Sequence, residues 1–274
     1  MSVQRVALVT GASSGIGAET SRHLAARGYL VYAAARRVDR LEGLQEPLIR
    51  PLPMDVTDDD SMTSGVQHVL DEAGRIDALI NNAGYGSYGA IEDVPLAEAR
   101  RQFEVNVFGL ARLAQLVAPH MRARGSGRIV NVSSMGGRFA MAFGGWYHAT
   151  KHAVEGLSDA MRQELAPFGV QVVVIQPGGI RTEWAGISIG SALQASGDGA
   201  YAERVARMTQ VLAGPGGSES GSDPAVVARA ITRAVTARRP RTRYAIGLGA
   251  KPVMVARRVL PDRAMDAIMS RAIG

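Results

Sequence analysis

The sequence predicts an α/β protein: a doubly wound parallel sheet in a three-layer α/β/α arrangement, formed by a single domain over residues 1–274. Three observations predict it. Short β-branched or alanine-rich runs alternate with amphipathic stretches of helical length, the order that a parallel sheet with crossover helices requires. The first run leads directly into a glycine-rich turn and then a helix, at Thr10 to Gly17. Composition agrees, because 46% hydrophobic residues with 5% aromatics and 32 glycines suits an Ala/Val/Gly core rather than an aromatic-cored sandwich.

Taken in order, Val3 to Val9 reads as the first strand, followed by the turn and a helix from Ala18 to Arg27 closed by Gly28. Tyr29 to Ala35 is the second strand, placed as a right-handed βαβ crossover requires. Pro51 to Met54 is a third, short strand. Thr57 is an N-cap, with Asp58, Asp59 and Asp60 in the first turn of a helix running to Gly74. Ile76 to Ile80 is the fourth strand. Pro95 opens a long amphipathic helix to about Arg124, with Gly109 and Pro119 as points of kinking or breakage. Ile129 to Val132 is the fifth strand, Gly144 to Phe168 a second long helix, and Val170 to Ile175, almost entirely β-branched, a sixth strand buried on both faces.

The stretch from Gly179 to Gly221 is poorly patterned and ends in Gly214-Pro215-Gly216-Gly217-Ser218-Glu219-Ser220-Gly221, a composition expected of a mobile flap or tether. Asp223 as N-cap and Pro224 at the first helical position restart a helix to about Arg238, and Tyr244 to Ile246 reads as a last strand. The tail from Lys251 to Ile273 is amphipathic and broken at Pro261. It reads as a helix pair packed on the domain or on a subunit partner, in preference to membrane-surface contact.

Composition excludes several classes of function. The absence of cysteine rules out a disulfide framework, a thiolate zinc site and a cysteine nucleophile. No apolar run approaches the roughly 20 residues of a membrane span, and Met1 to Thr10 has no signal-like pattern, so a soluble cytoplasmic protein is expected. The net charge of +6 is dispersed as single and paired residues. The one run, Arg238, Arg239, Arg241 and Arg243, lacks interleaved aromatics, so no nucleic-acid partner is expected.

Helix N-termini present unpaired amides and a partial positive charge, so a turn without side chains admits a pyrophosphate to hydrogen-bonding distance. Gly11, Gly15 and Gly17 provide such a turn where the dinucleotide crevice of a βαβ unit forms, although their spacing is not Gly-x-Gly-x-x-Gly. At the end of the second strand, where an acid would hold an adenosine ribose, the chain has Arg36 and Arg37, which suits the 2′-phosphate of NADP(H) over NAD(H). Asp55 and Val56 follow the third strand and are placed to contact adenine; Asp55 serves equally as a plain turn residue. Tyr147 and Lys151 lie one helical turn apart and face the same way, and Lys151 is one of only two lysines among 31 basic residues. A lysine ammonium is a compact charge suited to lowering a phenol's pKa and donating to ribose hydroxyls. His148 and His152 share the spacing of zinc ligands, but no glutamate follows His148 and Lys151 would repel a cation, so no metal is expected.

These residues resemble the short-chain dehydrogenases/reductases: TGASSGIG at Thr10 to Gly17, NNAG at Asn81 to Gly84, Asn106, VSS at Val132 to Ser134, YHATK at Tyr147 to Lys151 and PGGIRT at Pro177 to Thr182, in order, from about Val3 to Thr182. The resemblance implies a Rossmann-like fold and hydride transfer between a nicotinamide and a carbonyl or alcohol. It implies Tyr147 as general acid/base and Lys151 as the group that depresses the phenol's pKa and holds the nicotinamide ribose. Ser134, with Ser133 as the neighbouring candidate, would hydrogen-bond the substrate oxygen, and Asn106 would anchor a relay water to Lys151. Gly11, Ser13, Ser14, Gly15, Ile16 and Gly17 would hold the phosphates, with Asn82, Ala83 and Gly84 beside the adenosine and ribose and Pro177, Gly178, Ile180 and Thr182 beside the nicotinamide amide. Many NADP-preferring members carry a basic residue where this chain has Ser14, so cofactor choice rests on Arg36 and Arg37.

The substrate loops, about 179–222 with residues near 85–88 and 139–146, supply Tyr85, Tyr88, Phe139, Met141, Phe143, Trp146, Trp184, Ile187, Ile189 and Leu193. They predict a lipophilic carbonyl or alcohol such as a steroid, retinoid or long-chain compound, unless half of them pack a subunit interface. The tail after Thr182, which ends in a helical extension from about 250 to 274, resembles, more weakly, the longer C-termini of members acting on lipid-like substrates. The family also implies a homodimer or homotetramer built on the two long helices. A non-catalytic NADP(H) sensor is the rival reading, but it has no need of Ser134, Tyr147 and Lys151 together. An extended-branch epimerase or dehydratase would need another glycine spacing and a larger C-terminal domain.

Overall fold

A computed structural model describes residues 4–44, 46–214 and 220–273. Seven strands form one sheet in the order β3-β2-β1-β4-β5-β6-β7, every neighbouring pair parallel. They are β1 (Arg5–Thr10), β2 (Tyr29–Ala35), β3 (Ile49–Pro53), β4 (Ala78–Asn81), β5 (Gly127–Val132), β6 (Val170–Pro177) and β7 (Arg243–Ile246). Pro51 and Pro53 are tolerated in β3 because it is an edge strand, where a missing amide breaks no ladder on its outer side. The order reverses between β1 and β4, the switch point at which an open α/β sheet forms its crevice.

Helices cover both faces. On one, α1 (Gly15–Ala25) and α8 (Pro224–Thr236) pack together over Val9, Val31, Ile80, Val130 and Ile175. On the other, α2 (Asp59–Ala73) and α4 (Gly109–Ala123) cover Leu8, Leu79, Ile129 and Val172. Beside them α5 (Gly145–Leu165) contributes Val154, buried with Val107 and Leu110. The buried apolar residues of the strands face alternately to these two clusters, as a sheet covered on both sides requires.

Several boundaries differ from the sequence reading for identifiable reasons. Asp58, not Thr57, caps α2: its carboxylate accepts from the Ser61 amide, while Thr57 donates from both its amide and its hydroxyl to Asp55 Oδ1. The long helix after Pro95 is broken by neither Gly109 nor Pro119. It runs as α3 (Leu96–Phe103), a π-helical turn at Glu104–Phe108 and α4, with Pro119 inside α4. Gly109 is required there because a Cβ would lie 2.2 Å from the carbonyl oxygen of Val56.

The largest correction concerns the expected flap. Residues from Gly179 onward contain two helices, α6 (Trp184–Ser196) and α7 (Ala202–Ala213), packed on one another. Val205 and Met208 of α7 are fully buried. Of the Gly/Ser-rich segment, residues 215–219 lie outside the described residues. The tail forms α9 (Ala250–Val259) and α10 (Asp262–Ile273), with α9 against β7 and α10 against α7, as a helix pair on the body of the protein. No described helix is long and apolar enough to cross a membrane.

Candidate active site

A cleft of about 1080 Å³ opens at the carboxyl ends of the central strands. The turn after β1 forms one wall. Gly11 (φ +63°) and Gly15 (φ +51°) have left-handed backbone, and a Cβ on either would lie 2.9 Å from an atom across the cleft, Ala83 Cα or Thr182 Cγ2 respectively. Gly17 does not line the cleft. A Cβ there would fall 2.2 Å from the Gly11 carbonyl oxygen, so its part is to let α1 pack onto the turn. Asn82 fixes the turn from below, its Nδ2 donating to the carbonyls of Thr10 at 3.0 Å and Gly11 at 3.2 Å. Ser14 is the extended N-cap of α1, its side chain makes no capping bond among the described residues, and no acid stands in the first turn. The exposed amides and the positive end of the helix are thus left for an anion from the cleft. This cradle, which side chains would fill, fits the diphosphate of a dinucleotide.

The ends of β2 and β3 continue the wall through Ala34, Ala35, Arg36, Arg37, Asp55 and Val56. Arg36 and Arg37 are exposed and differ in their partners. Arg37 lies 3.9 Å from Glu183, which also binds Arg40 at 3.0 Å, whereas no carboxylate comes within 4 Å of Arg36 among the described residues. Asp55 both lines the cleft and closes its turn through Thr57, so the two readings of this residue are compatible.

At the far end α5 brings in Tyr147 and Lys151, both 7% exposed, and the loop after β5 brings in Ser133 and Ser134. Ser134 caps a short 3-10 turn, Met135–Gly137, accepting from the Gly136 amide at 3.0 Å, while Ser133 is buried with its hydroxyl toward the Lys151 carbonyl. Lys151 Nζ lies 5.9 Å from the Tyr147 ring centroid and donates to the Val132 carbonyl at 3.0 Å. Burial pushes Tyr147 up to about 12, with the Ser134 hydroxyl pulling the other way. Burial pushes Lys151 down to about 8, against the attraction of Glu155 one turn further along α5.

Asn106 does not line the cleft. It occupies the π-helical turn, 2% exposed, with Oδ1 accepting from the Tyr85 amide and Nδ2 donating to the Tyr85 carbonyl at 2.9 Å and to Thr150 Oγ1 at 3.1 Å. Its side-chain amide is therefore engaged by protein groups, and it backs Gly84, where a Cβ would be 3.0 Å from Oδ1 and 3.6 Å from Lys151 Nζ. Ala83, Gly84, Pro177, Gly178, Ile180 and Thr182 all line the cleft between the two ends, as do Ser13 and Ile16.

Beyond Tyr147 the cleft is largely aromatic and apolar, with Asp93, Glu98, Arg101 and Gln194 also on its wall. Trp184 at the start of α6 lies 5.2 Å from the Tyr147 ring and 5.7 Å from Tyr88, and Tyr85, Phe139, Met141 and Ile187 complete the chamber. Phe143, Trp146, Ile189 and Leu193 do not line it; Phe143 packs edge-on to Tyr201, and Leu193 is exposed on α6. Sequence reasoning did not count Leu248 and Gly249, which reach the cleft from the loop after β7, or His148, weighed there only as a metal ligand. The His148 ring is instead bonded to the Gly136 carbonyl, and His152 Nδ1 lies 2.8 Å from the His148 carbonyl.

Comparison with known proteins agrees with this geometry. The short chain dehydrogenase family profile matches residues 5–188. A 3-ketodihydrosphingosine reductase of Bacteroides thetaiotaomicron is 34% identical, over 89% of this chain and 88% of the relative. An NADPH-dependent 3-dehydrocapnine reductase of Ornithobacterium rhinotracheale is 32% identical, over 96% of this chain and 95% of the relative. The crystal structure of a short-chain dehydrogenase from Streptomyces avermitilis superposes with a TM-score of 0.83 at 36% identity, covering 99% of this chain and 95% of that one. With a cleft at the switch point lined by residues of five of the six motifs, and Asn106 packed behind it, the chain belongs to the short-chain dehydrogenase/reductase family of oxidoreductases.

Proposed function

We propose that the protein is an NADP(H)-dependent reductase of lipophilic ketones. The observation that supports this reading best is the continuity of one cleft: the glycine turn and Arg36 border one end, and Ser134, Tyr147 and an aromatic chamber border the other. When bound, NADPH would supply the hydride for the carbonyl carbon. Tyr147, a phenol protonated at neutral pH and pushed further up by its burial, gives its phenolic proton to the carbonyl oxygen, so that hydride and proton together convert ketone to alcohol. Ser134 Oγ accepts from the Gly136 amide and keeps its own proton to donate to that same oxygen. Lys151 would hold the nicotinamide ribose, and its ammonium, 5.9 Å from the Tyr147 ring centroid, stabilises the phenolate that Tyr147 becomes. Asn106 keeps Gly84 and the Tyr85 backbone in place beside them. Arg36 takes the 2′-phosphate.

Tyr88, Trp184, Phe139 and Met141 offer area and few hydrogen bonds, which suits a steroid, retinoid or long-chain chemistry over sugars. The names of two relatives, reductases of 3-ketodihydrosphingosine and 3-dehydrocapnine, lend support to the reductive direction, and the second to NADPH. Phe108, Leu157 and Phe168 are exposed on or beside the two long helices and support self-association there; a monomer on dilute size-exclusion chromatography refutes it. The activity is tested by following NADPH and NADH consumption against hydrophobic ketones and polar sugars. Wild type turns over the former with NADPH, and Tyr147→Phe loses about a hundredfold or more in kcat while still binding cofactor. Cofactor binding without turnover of any ketone favours the sensor reading instead.

A further inference from the structure

His148 follows Tyr147 on α5, is 3% exposed, and has no part in the chemistry just proposed. Its Nδ1 lies 2.9 Å from the Gly136 carbonyl oxygen. A carbonyl only accepts, so Nδ1 carries the proton. Burial pushes the ring down to about 4, so it is neutral at working pH and Nε2 is a lone pair. Nε2 has no hydrogen-bond partner among the described residues, and the ring is packed against Phe139, Tyr147 and Tyr88 with centroids 5.5, 5.7 and 6.4 Å away. A second proton there would be a buried, unpaired charge, so the ring stays neutral with its one proton on Nδ1.

Gly136 belongs to the turn that carries Ser134. Its amide donates to Ser134 Oγ at 3.0 Å, and the next amide, of Gly137, donates to the Ser134 carbonyl at 3.0 Å. The peptide between Gly136 and Gly137 is therefore held on both sides, through its N–H by Ser134 and through its carbonyl by His148. No side chain fits at Gly136, where a Cβ would be 2.8 Å from His148 Nδ1.

We infer that His148 is a positioning residue for the reaction: through the Gly136 carbonyl it fastens the Ser134 turn to the helix bearing Tyr147, so that the serine and tyrosine hydroxyls converge on one substrate oxygen. The inference rests on the roles given above to Ser134 and Tyr147. Ser133 and Lys151 tie the end of β5 to the same helix, through the Lys151 and Val132 carbonyls, whereas His148 is the α5 side chain that bonds the turn after Ser134.

The test is a double-mutant cycle on the full-length protein, with kcat and KM measured for NADPH and a hydrophobic ketone and NADPH binding by fluorescence as the check of folding. His148→Phe keeps the ring volume and removes the donor, and lowers kcat about tenfold, the worth of one ordinary hydrogen bond, with the NADPH dissociation constant unchanged. His148→Asn, whose amide restores an N–H close to the place of Nδ1, stays within about threefold of wild type. In a Ser134→Ala background His148→Phe has no further effect on kcat, since no hydroxyl is left to orient. Equal losses in both backgrounds, or an unchanged kcat in His148→Phe when Ser134→Ala is impaired, overturn the inference while leaving the reductase reading standing. A wild-type kcat in Ser134→Ala overturns the role of Ser134 itself. Should His148→Phe fail to fold, nitrogen NMR of the native imidazole decides: a proton on Nδ1 and a bare Nε2 from about pH 5 to 8 support the inference, and the opposite tautomer overturns it.

Discussion

Replacing Arg36 with alanine separates the two nicotinamide cofactors. With no carboxylate within 4 Å among the described residues, its guanidinium gives up no partner when a 2′-phosphate arrives. A hydrogen bond to a charged group contributes about 1.5–3 kcal/mol, and the site's exposure puts the expectation at the lower end, so Arg36→Ala should cost NADPH roughly tenfold to thirtyfold in kcat/KM and NADH almost nothing. Arg37 starts from a different position. It already faces Glu183 at 3.9 Å, with side chains 52% and 55% exposed, and an exposed pair of that kind is worth less than about 1 kcal/mol. Arg37→Ala should therefore cost NADPH only about threefold, and Glu183→Gln, which frees Arg37, should raise NADPH affinity by a similar factor at low salt. The assay is initial-rate kinetics with both cofactors at one ketone concentration and fixed ionic strength. Equal losses with NADPH and NADH in Arg36→Ala, or a larger effect from Arg37→Ala, would refute the assignment.

Gly17→Ala should abolish cofactor binding and lower the melting temperature together, because the added Cβ meets the Gly11 carbonyl oxygen of the turn at 2.2 Å and, at 2.7 Å, the Asn82 Nδ2 that fixes the turn; calorimetric titration with NADPH and a thermal melt read the two effects, and retention of both would show that α1 can shift off the turn. The buried, neutral His148 should make the fold acid-sensitive in a defined window. Its pKa falls from 6.5 in the unfolded chain to about 4 in the native protein, so its contribution is complete above pH 6.5 and is lost as pH falls toward 4, by about 3 kcal/mol at most. Melting temperatures across that window should drop less steeply in His148→Phe than in wild type, and parallel curves would contradict the assignment.

The strands and the glycine turn are legible in the sequence because their physics is local. Val170 to Ile175 cannot avoid a buried strand, and Gly11 and Gly15 supply positive φ where the backbone needs it. The cleft wall is not local. The helix α6 was invisible because its apolar residues do not mark one face: Ile187 and Leu193 are both exposed, and the helix is rich in Gly, Ala and Ser. What holds it are serines reaching to the loop of residues 86–90. Ser188 Oγ donates to the Gly86 carbonyl at 3.2 Å, Ser191 Oγ accepts from the Tyr88 amide at 2.8 Å, and Ser196 Oγ accepts from the Ala90 amide at 2.9 Å. Serine usually argues against a helix interior because it competes for nearby backbone. Here the backbone it serves is a hundred residues away, a partner no periodicity reveals. The π-helical turn at Asn106 was hidden for the same reason, since it is tied to Tyr85 and Thr150 by side-chain bonds from other segments.

The direction of the phenol's shift bears on the proton that the proposed reduction uses. A tyrosine with a depressed pKa would hold its proton weakly and suit alcohol oxidation, where a base is wanted from the start. The proposed reduction wants a phenol that keeps its proton until hydride transfer makes the carbonyl oxygen basic, a state that a phenol of ordinary pKa about 10 already holds at neutral pH and that burial reinforces. Packing by Trp184 and Tyr88 buries the Tyr147 hydroxyl and supplies that reinforcement. The cost appears only after the transfer, when the same burial disfavours the phenolate, and there the Lys151 ammonium and the Ser134 hydroxyl act on the charge at the moment it forms. Burial and the cation therefore serve different points on one reaction coordinate, which is why the pairing of Tyr147 with Lys151 one turn apart is compatible with a phenol pushed up rather than down.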